Sequence, residues 1–214
     1  MYLKQIMSAC LLFCVTAVSN AAQWELQKTD EDLGIKIYTS AVDGSPFRQF
    51  KAVTTLNSSL TGAVAMVRDT DNMPNWMFNM LSLKVLEKVD VQESIAHSVS
   101  KTGPFMDNRD SVVRSVLTQD PKTKAVTIKI TGLPEYIPAI EDSVRVASVD
   151  GSWTFTPKAD GKVEVIYQLH TDPAGDLPQG LVNSFMVKAP MNNLSKMHEL
   201  VGGYQNATLS FIAE

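Results

Sequence analysis

The sequence predicts one α+β domain, in which a curved antiparallel sheet wraps around a long C-terminal helix. Three observations favour this class. Segments that alternate between polar and apolar residues follow one another at hairpin spacing through the middle of the chain. Helical periodicity precedes them, and it returns over residues 178–201. The 214 residues suffice for one full-sized domain, and no repeat or low-complexity linker divides them.

The chain begins with a pattern that is typical of a secretory signal peptide. Lys4 precedes an apolar stretch at residues 6–18, and small residues follow up to Ala21. This stretch is shorter than the roughly 20 residues that a membrane span needs. We therefore expect residues 1–21 to be a signal peptide and residues 22–214 to be one domain in a bacterial periplasm. Cleavage after Ala21 and after Ala22 fit equally well.

Loss of the signal peptide limits the chemistry that the domain can perform. Cys10 and Cys14 leave with it, which excludes disulfides and thiol catalysis in the mature chain. The net charge moves from −4 to −5, because Lys4 is the only charged residue removed. A chain with this acidic balance and no Lys/Arg run is not expected to bind nucleic acid.

A short helix and two strands are predicted to open the mature domain. Residues 24–30 are predicted to form the short N-terminal helix. Residues 35–38 and 49–55 alternate between polar and apolar side chains, as half-buried strands do. Asp43-Gly44 supplies the turn residues between these two strands.

Two further helices are predicted before the meander. Apolar residues recur at helical spacing over residues 59–69, and Ser58 or Ser59 is expected to cap the first turn. Residues 73–80 predict a shorter helix, which Pro74 opens because proline is well tolerated at the first helical position.

The rest of the chain predicts an antiparallel meander and then a long helix. Asp150-Gly151 and Asp160-Gly161 are hairpin signals. Pro178 is expected to start the last helix, and Pro190 to kink it. The predicted meander strands are residues 83–89, 94–101, 111–117, 125–131, 143–149, 152–156 and 163–171.

Residues along this order resemble the START domain, the lipid-transfer module named after the steroidogenic acute regulatory protein. Asn108-Arg109-Asp110 after Pro104 resembles the Pro-Arg-Asp motif of the family. The resemblance extends over essentially the whole mature chain. It implies a helix-grip fold, with a nine-stranded sheet around a hydrophobic tunnel, one bound lipid or other apolar molecule, and the last helix as lid. Further matching positions are residues 24, 34–38, 69–76, 83–86, 138, 143–145, 153–157, 163–167, 172, 175, 177–178 and 181–183.

A lipid tunnel needs apolar walls and a few polar groups for the headgroup. On the last strand, Val165, Tyr167 and Leu169 share one face, which we assign to the interior. The alternative is that such side chains simply fill a core. The predicted ligand-binding residues are Trp76, Met77, Met80, Phe105, Arg109, Trp153, Phe155, Val165, Tyr167, Leu169, Val182, Phe185 and Met186.

Arg109 and Asp110 form the most prominent polar pair of the predicted sheet. Arg109 could bind an anionic or hydroxyl headgroup, or the pair could be a structural ion pair at a strand end, and Arg145 is open to the same two interpretations. Sterol-binding proteins that resemble this chain carry an acidic residue and an arginine where Ser82 and Ser115 stand here. We therefore do not assign sterol-binding roles to these positions.

Catalytic motifs are not recognisable in the sequence. The three histidines show no metal-ligand spacing, so neither a metal nor another cofactor is expected. His170 and Asp172 share a strand face and are the one candidate catalytic pair. We predict a monomeric, non-catalytic periplasmic carrier of a lipid or other hydrophobic small molecule, in transient contact with membranes. A helix-grip enzyme of the polyketide cyclase or aromatase type and a ligand-sensing envelope interaction protein are the alternatives.

Overall fold

A computed structural model describes residues 23–214, so the predicted signal peptide lies outside the described residues. The described chain folds into ten strands and two α-helices, with short 3₁₀ turns at Met73–Asn75, Ala159–Gly161 and Val201–Tyr204. The strands are β1 (Glu25–Asp30), β2 (Ile35–Ser40), β3 (Gln49–Leu56), β4 (Met80–Lys88), β5 (Glu93–Ser100), β6 (Asn108–Gln119), β7 (Val126–Gly132), β8 (Ser143–Arg145), β9 (Ser148–Lys158) and β10 (Lys162–Asp172). The helices are α1 (Leu60–Arg68) and α2 (Gln179–Leu200).

All ten strands belong to one sheet. Nine of them follow the order β1-β2-β3-β10-β9-β7-β6-β5-β4, and the short β8 pairs with β6 in parallel, outside this path. The last strand, β10, pairs with both β3 and β9, so it joins the N-terminal strands to the meander. This architecture confirms the predicted α+β helix-grip fold.

The N-terminal helix predicted for residues 24–30 is wrong, because Glu25–Asp30 form the edge strand β1. Its main chain pairs with β2, and four of its six side chains are exposed. The chain reverses at Gly34, where φ is +62°, and Asp30 accepts a hydrogen bond from the Leu33 N–H. An edge strand of this kind is stabilised through its main chain, so its side chains carry little periodic signal.

The hairpin predicted at Asp150-Gly151 is also wrong, because β9 runs unbroken through both residues. A Cβ on Gly151 would lie 2.5 Å from the Gln168 carbonyl oxygen and 2.6 Å from Cδ1 of Leu169. Glycine therefore permits close approach of two strands here. Asp160-Gly161 does form the predicted turn, with φ values of 63° and 67°.

The helices differ in detail from the prediction. Ser59 is the N-cap of α1, and its Oγ accepts a hydrogen bond from the Gly62 N–H. The helix predicted for residues 73–80 shortens to a 3₁₀ turn, after which the chain enters β4. The last helix, α2, continues through Pro190. The segment predicted as one strand over residues 143–149 divides into β8 and the start of β9.

The hydrophobic core lies under one half of the sheet. α2 packs against β2 and β3, and α1 packs against β9 and β10. The inner face of β2 buries Ile35 and Ile37 completely, and α2 contributes Leu194 and Met197, which are also fully buried. The core therefore fills the space between the two helices and strands β2, β3, β9 and β10, and it extends to the ends of β6 and β7.

Candidate ligand-binding cavity

An internal cavity lies at the other half of the sheet, between the first turns of α2 and strands β4–β7. It consists of two adjoining chambers. We call the first the Arg109 chamber; it has a volume of about 260 Å³ and is bounded by Val182, Phe185 and Met186 of α2. We call the second the Arg68 chamber; it has a volume of about 200 Å³. Each is smaller than the roughly 300–1,000 Å³ of typical small-molecule sites, but the two together fall within that range. The chambers share the walls Met77, Met80, Ser98, Ser111, Val149 and Leu169.

Aromatic side chains separate the Arg68 chamber from the filled core. The rings of Trp153 and Tyr167 stack with centroids 3.8 Å apart, and Trp76 meets Trp153 edge-on at 6.3 Å. Burial raises the pKa of Tyr167, so its phenol stays neutral at any ordinary pH. The stacked pair forms a rigid apolar wall.

The structure shows which of the predicted ligand-binding residues line the two chambers. Three of them, Trp76, Phe155 and Val165, are buried in the filled core and line neither chamber. The predicted residues that line one or both chambers are Met77, Met80, Arg109, Trp153, Tyr167, Leu169, Val182, Phe185 and Met186. The structure thus brings most of the predicted set together, and their binding role stays a prediction.

The placement predicted for Phe105 is wrong. Its side chain is fully exposed, on the loop between β5 and β6. A bridge between Gly103 and Met106 closes this loop into a turn, and Phe105 lies at the tip with φ at 60°. The ring therefore projects away from the sheet and does not face either chamber.

Hydroxyl groups form a polar row on the cavity wall that the sequence prediction missed. Ser98 of β5 and Ser111 of β6 are cross-strand partners, with their Oγ atoms 3.0 Å apart. Ser94 and Ser115 pair in the same register and line the Arg68 chamber. Serines at alternate positions are also the pattern of a solvent-facing strand, and for that reason the signal was ambiguous.

Arg109 projects into the cavity from the start of β6. Its Nε donates to the Pro173 carbonyl at 2.8 Å, Nη1 to the Asp107 carbonyl at 2.7 Å, and Nη2 to the Ala174 carbonyl at 3.2 Å. Gly175, with φ at +63°, leaves room for the guanidinium, since a Cβ there would lie 3.1 Å from Nη2. Main-chain carbonyls thus hold the side chain in one orientation.

The expected ion pair between Arg109 and Asp110 does not form, because adjacent residues of a strand point to opposite faces. Asp110 is fully buried on the outer face of β6. Its Oδ2 lies 2.8 Å from Arg145 Nε and 2.9 Å from His97 Nε2. Arg145 also donates to the carbonyls of Pro134, Ile137 and Pro138. The ion pair of Asp110 and Arg145 therefore fastens the segment at residues 133–142 against the sheet.

The candidate catalytic pair of His170 and Asp172 is not formed either. His170 Nε2 lies 3.1 Å from Ser45 Oγ, and Asp172 Oδ1 accepts a hydrogen bond from the Ala174 N–H. Within residues 23–214 no three His, Cys, Asp or Glu residues are grouped to hold a metal ion. Over the same residues, none of the helices has both the length and the apolar character that a membrane span requires.

Comparisons with known proteins agree on one family. The START domain model matches residues 10–207. An uncharacterised protein of Pseudomonas aeruginosa is 31% identical over 192 residues, covering 90% of this chain and 93% of its own. A STAR-related lipid transfer protein from Xanthomonas axonopodis is 30% identical with a TM-score of 0.76, over 84% of this chain and 98% of its own. Human StAR-related lipid transfer protein 5 shares the fold, with a TM-score of 0.77 at 15% identity, over 87% of this chain and 89% of its own.

Proposed function

The chain belongs to the START domain family, and we propose that it binds a lipid or other apolar small molecule in its cavity and transfers it, unaltered, between membranes. The cavity under the first turns of α2 carries this proposal. Its walls include Trp153, Tyr167 and Phe185, which offer an apolar surface to a ligand. Each buried CH₂ group of such a ligand contributes about 0.8 kcal/mol, so an acyl chain would gain useful affinity.

The relatives support transfer more directly than the fold does. The Xanthomonas protein, at 30% identity over 84% of this chain, is described as a lipid transfer protein. The helix α2 closes one side of the Arg109 chamber with Val182, Phe185 and Met186. Displacement of these first turns would open a route for the ligand, in keeping with the lid role that we assign to this helix.

We include a cellular location and an assembly state in the proposal. The pattern of residues 1–21 supports export and a periplasmic domain. We expect the protein to be a monomer. We also expect its contact with membranes to be transient, because an acidic chain is not drawn to an anionic bilayer by its net charge.

Native mass spectrometry of the protein purified from its own periplasm, followed by organic extraction, tests binding. We expect one co-purifying class of lipid or other apolar molecule at a ratio near one to one. An empty protein that stays empty after incubation with envelope lipids would contradict the proposal. A ligand released in chemically altered form would instead favour the enzymatic alternative.

Vesicle assays with matched variants test transfer. Ser111 lines both chambers, so Ser111→Phe should fill the cavity and abolish movement of a labelled lipid between donor and acceptor vesicles. Thr118 is exposed on the same strand, so Thr118→Phe should leave transfer intact. Equal transfer by both variants, at equal thermal stability, would argue against the cavity as the binding site.

A further inference from the structure

The charged residues of the cavity walls are all cationic. Arg68, Lys101 and Arg109 line the two chambers, and no Asp or Glu of the described chain does so. This contrasts with the whole chain, which has a net charge of −4. The interior therefore favours negative charge although the protein as a whole is acidic.

Among these cations, Arg109 is the one that several main-chain carbonyls hold in place, whereas Arg68 donates to a single carbonyl, that of Val91. Elsewhere, Arg48 pairs with Glu25, and Arg114 with Glu93. Arg109 instead makes its hydrogen bonds to main-chain carbonyls, and within residues 23–214 it forms no ion pair with a carboxylate. Desolvation by burial lowers the pKa of Arg109, and the nearby Asp107 acts more weakly in the opposite direction.

Hydroxyl groups surround the same end of the cavity. Ser100 is the cross-strand partner of Arg109, and Thr102 and Thr171 line the same chamber. Carbonyls already accept from three of the five N–H groups of Arg109, so the remaining donors on Nη1 and Nη2 are those that an oxyanion would meet, and hydroxyls can donate to its other lone pairs. Because the carbonyls already fix the Arg109 side chain, little further ordering is needed when such a group binds.

We infer that the ligand is an amphiphile with an anionic headgroup, a carboxylate or a phosphate monoester, and that Arg109 binds this headgroup while the apolar chain extends into the Arg68 chamber. The inference rests on the proposed binding function and names its ligand class. It also assigns a role to the positive charge of Arg109, which forms no ion pair within residues 23–214.

Three probes of equal chain length test this inference: palmitate, hexadecyl phosphate and hexadecanol. Their affinities for the full protein can be followed through intrinsic tryptophan fluorescence, to which Trp153 in the cavity wall contributes. Either or both anions should bind about tenfold tighter than the alcohol, or more, because of the charge-assisted hydrogen bonds. The ratio between the two anions then identifies the preferred headgroup.

Variants assign the preference to a residue. Arg109→Gln should remove the preference for anions and leave hexadecanol affinity unchanged, and Arg109→Lys should restore part of it. Arg114 lies on the same strand but is exposed and pairs with Glu93, so Arg114→Gln should behave as the wild type. If Arg109→Gln does not fold, added salt should still weaken palmitate binding to the wild type and spare hexadecanol.

Several results would overturn the inference. Equal affinity of the wild type for all three probes would exclude an anionic headgroup site. A uniform loss with Arg109→Gln would show that Arg109 only holds residues 173–174 in place. If Arg68→Gln, and not Arg109→Gln, removed the preference for anions, the headgroup would lie in the Arg68 chamber. Failure of the wild type to bind any of the three probes would overturn the proposed function as well, whereas in the other results the wild type still binds hexadecanol.

Discussion

Strands β1–β3 and strands β4–β7 belong to one sheet, yet their inner faces meet different surroundings. Ile35 and Ile37 of β2 are fully buried against α2, which contributes Leu194 from its C-terminal half. On β5 and β6, the corresponding inner positions carry residues such as Ser98 and Ser111, which border open space. Side-chain size thus decides where the same helix seals the sheet and where it leaves a cavity.

The largest expected effect comes from truncating the filled half. Leu194→Ala should lower the free energy of unfolding by about 2–5 kcal/mol, because a buried apolar side chain is replaced by a cavity. Val113→Ala, in the wall of the Arg68 chamber, should lower it by about 1 kcal/mol, since that side chain already borders open space. Urea unfolding of both variants measures the difference. Equal losses in the free energy of unfolding would contradict the difference between the filled half and the hollow half.

The boundary between the halves gives a smaller effect. Gly151→Ala should destabilise the protein by about 1–3 kcal/mol, because the new Cβ meets the Gln168 carbonyl at 2.5 Å. Gly103→Ala is the control, since the nearest atom there, Sδ of Met106, would be 3.7 Å from the Cβ and φ is not positive. Thermal melting of both variants would show whether close strand approach at Gly151 is required; similar melting temperatures would speak against it.

The filled half should also respond to pH. His198 of α2 contacts Thr54 of β3, and burial lowers its pKa below the usual value of 6.5, with Asp30 acting in the opposite direction. The unfolded chain then binds a proton more readily than the folded one. The stabilisation is therefore complete above pH 6.5 and declines as the pH falls towards the lowered pKa. Urea midpoints at pH 7 and pH 5 should differ less in His198→Gln than in the wild type, and an unchanged difference would exclude His198 as the cause.

The smallest effect is expected in the hollow half. Replacing both Ser98 and Ser111 by Ala removes a hydrogen bond and both of its partners, so the free energy of unfolding should change by only about 0.5 kcal/mol. Binding of hexadecanol should be retained. A decrease of several kcal/mol in the free energy of unfolding would show that the serine row stabilises the fold, and the two halves would then not differ in this respect.

Sequence patterns predicted the fold class and much of the cavity, and their failures have physical causes. Alternation placed Tyr167 and Leu169 inside correctly, because β10 is half-buried along its length. It did not separate Leu169 from Val165, since a side chain that lines a cavity and one that fills a core look alike in sequence. Sequence patterns named Arg109 but not Arg68 or Lys101, because only tertiary packing brings the end of α1 and the end of β5 to the same cavity.

Two local errors show what short motifs leave undecided. Asp-Gly is a hairpin signal at residues 160–161 and a close-packing device at residues 150–151, and the letters are identical. The edge strand β1 is mostly exposed, so main-chain pairing with β2 determines its structure more than its side chains do. In both places the partner strand supplies the missing information.

The position of β10 has a consequence for folding kinetics. This strand lies between β3 and β9 in the sheet, although it is the last strand to be synthesised. Until residues 162–172 are present, β1–β3 and the meander have unpaired edges facing each other, and such edges invite aggregation. The closing contacts span more than one hundred residues, from Phe50 to Leu169, which slows folding. Chains that end before residue 162 should consequently aggregate more readily than the full chain.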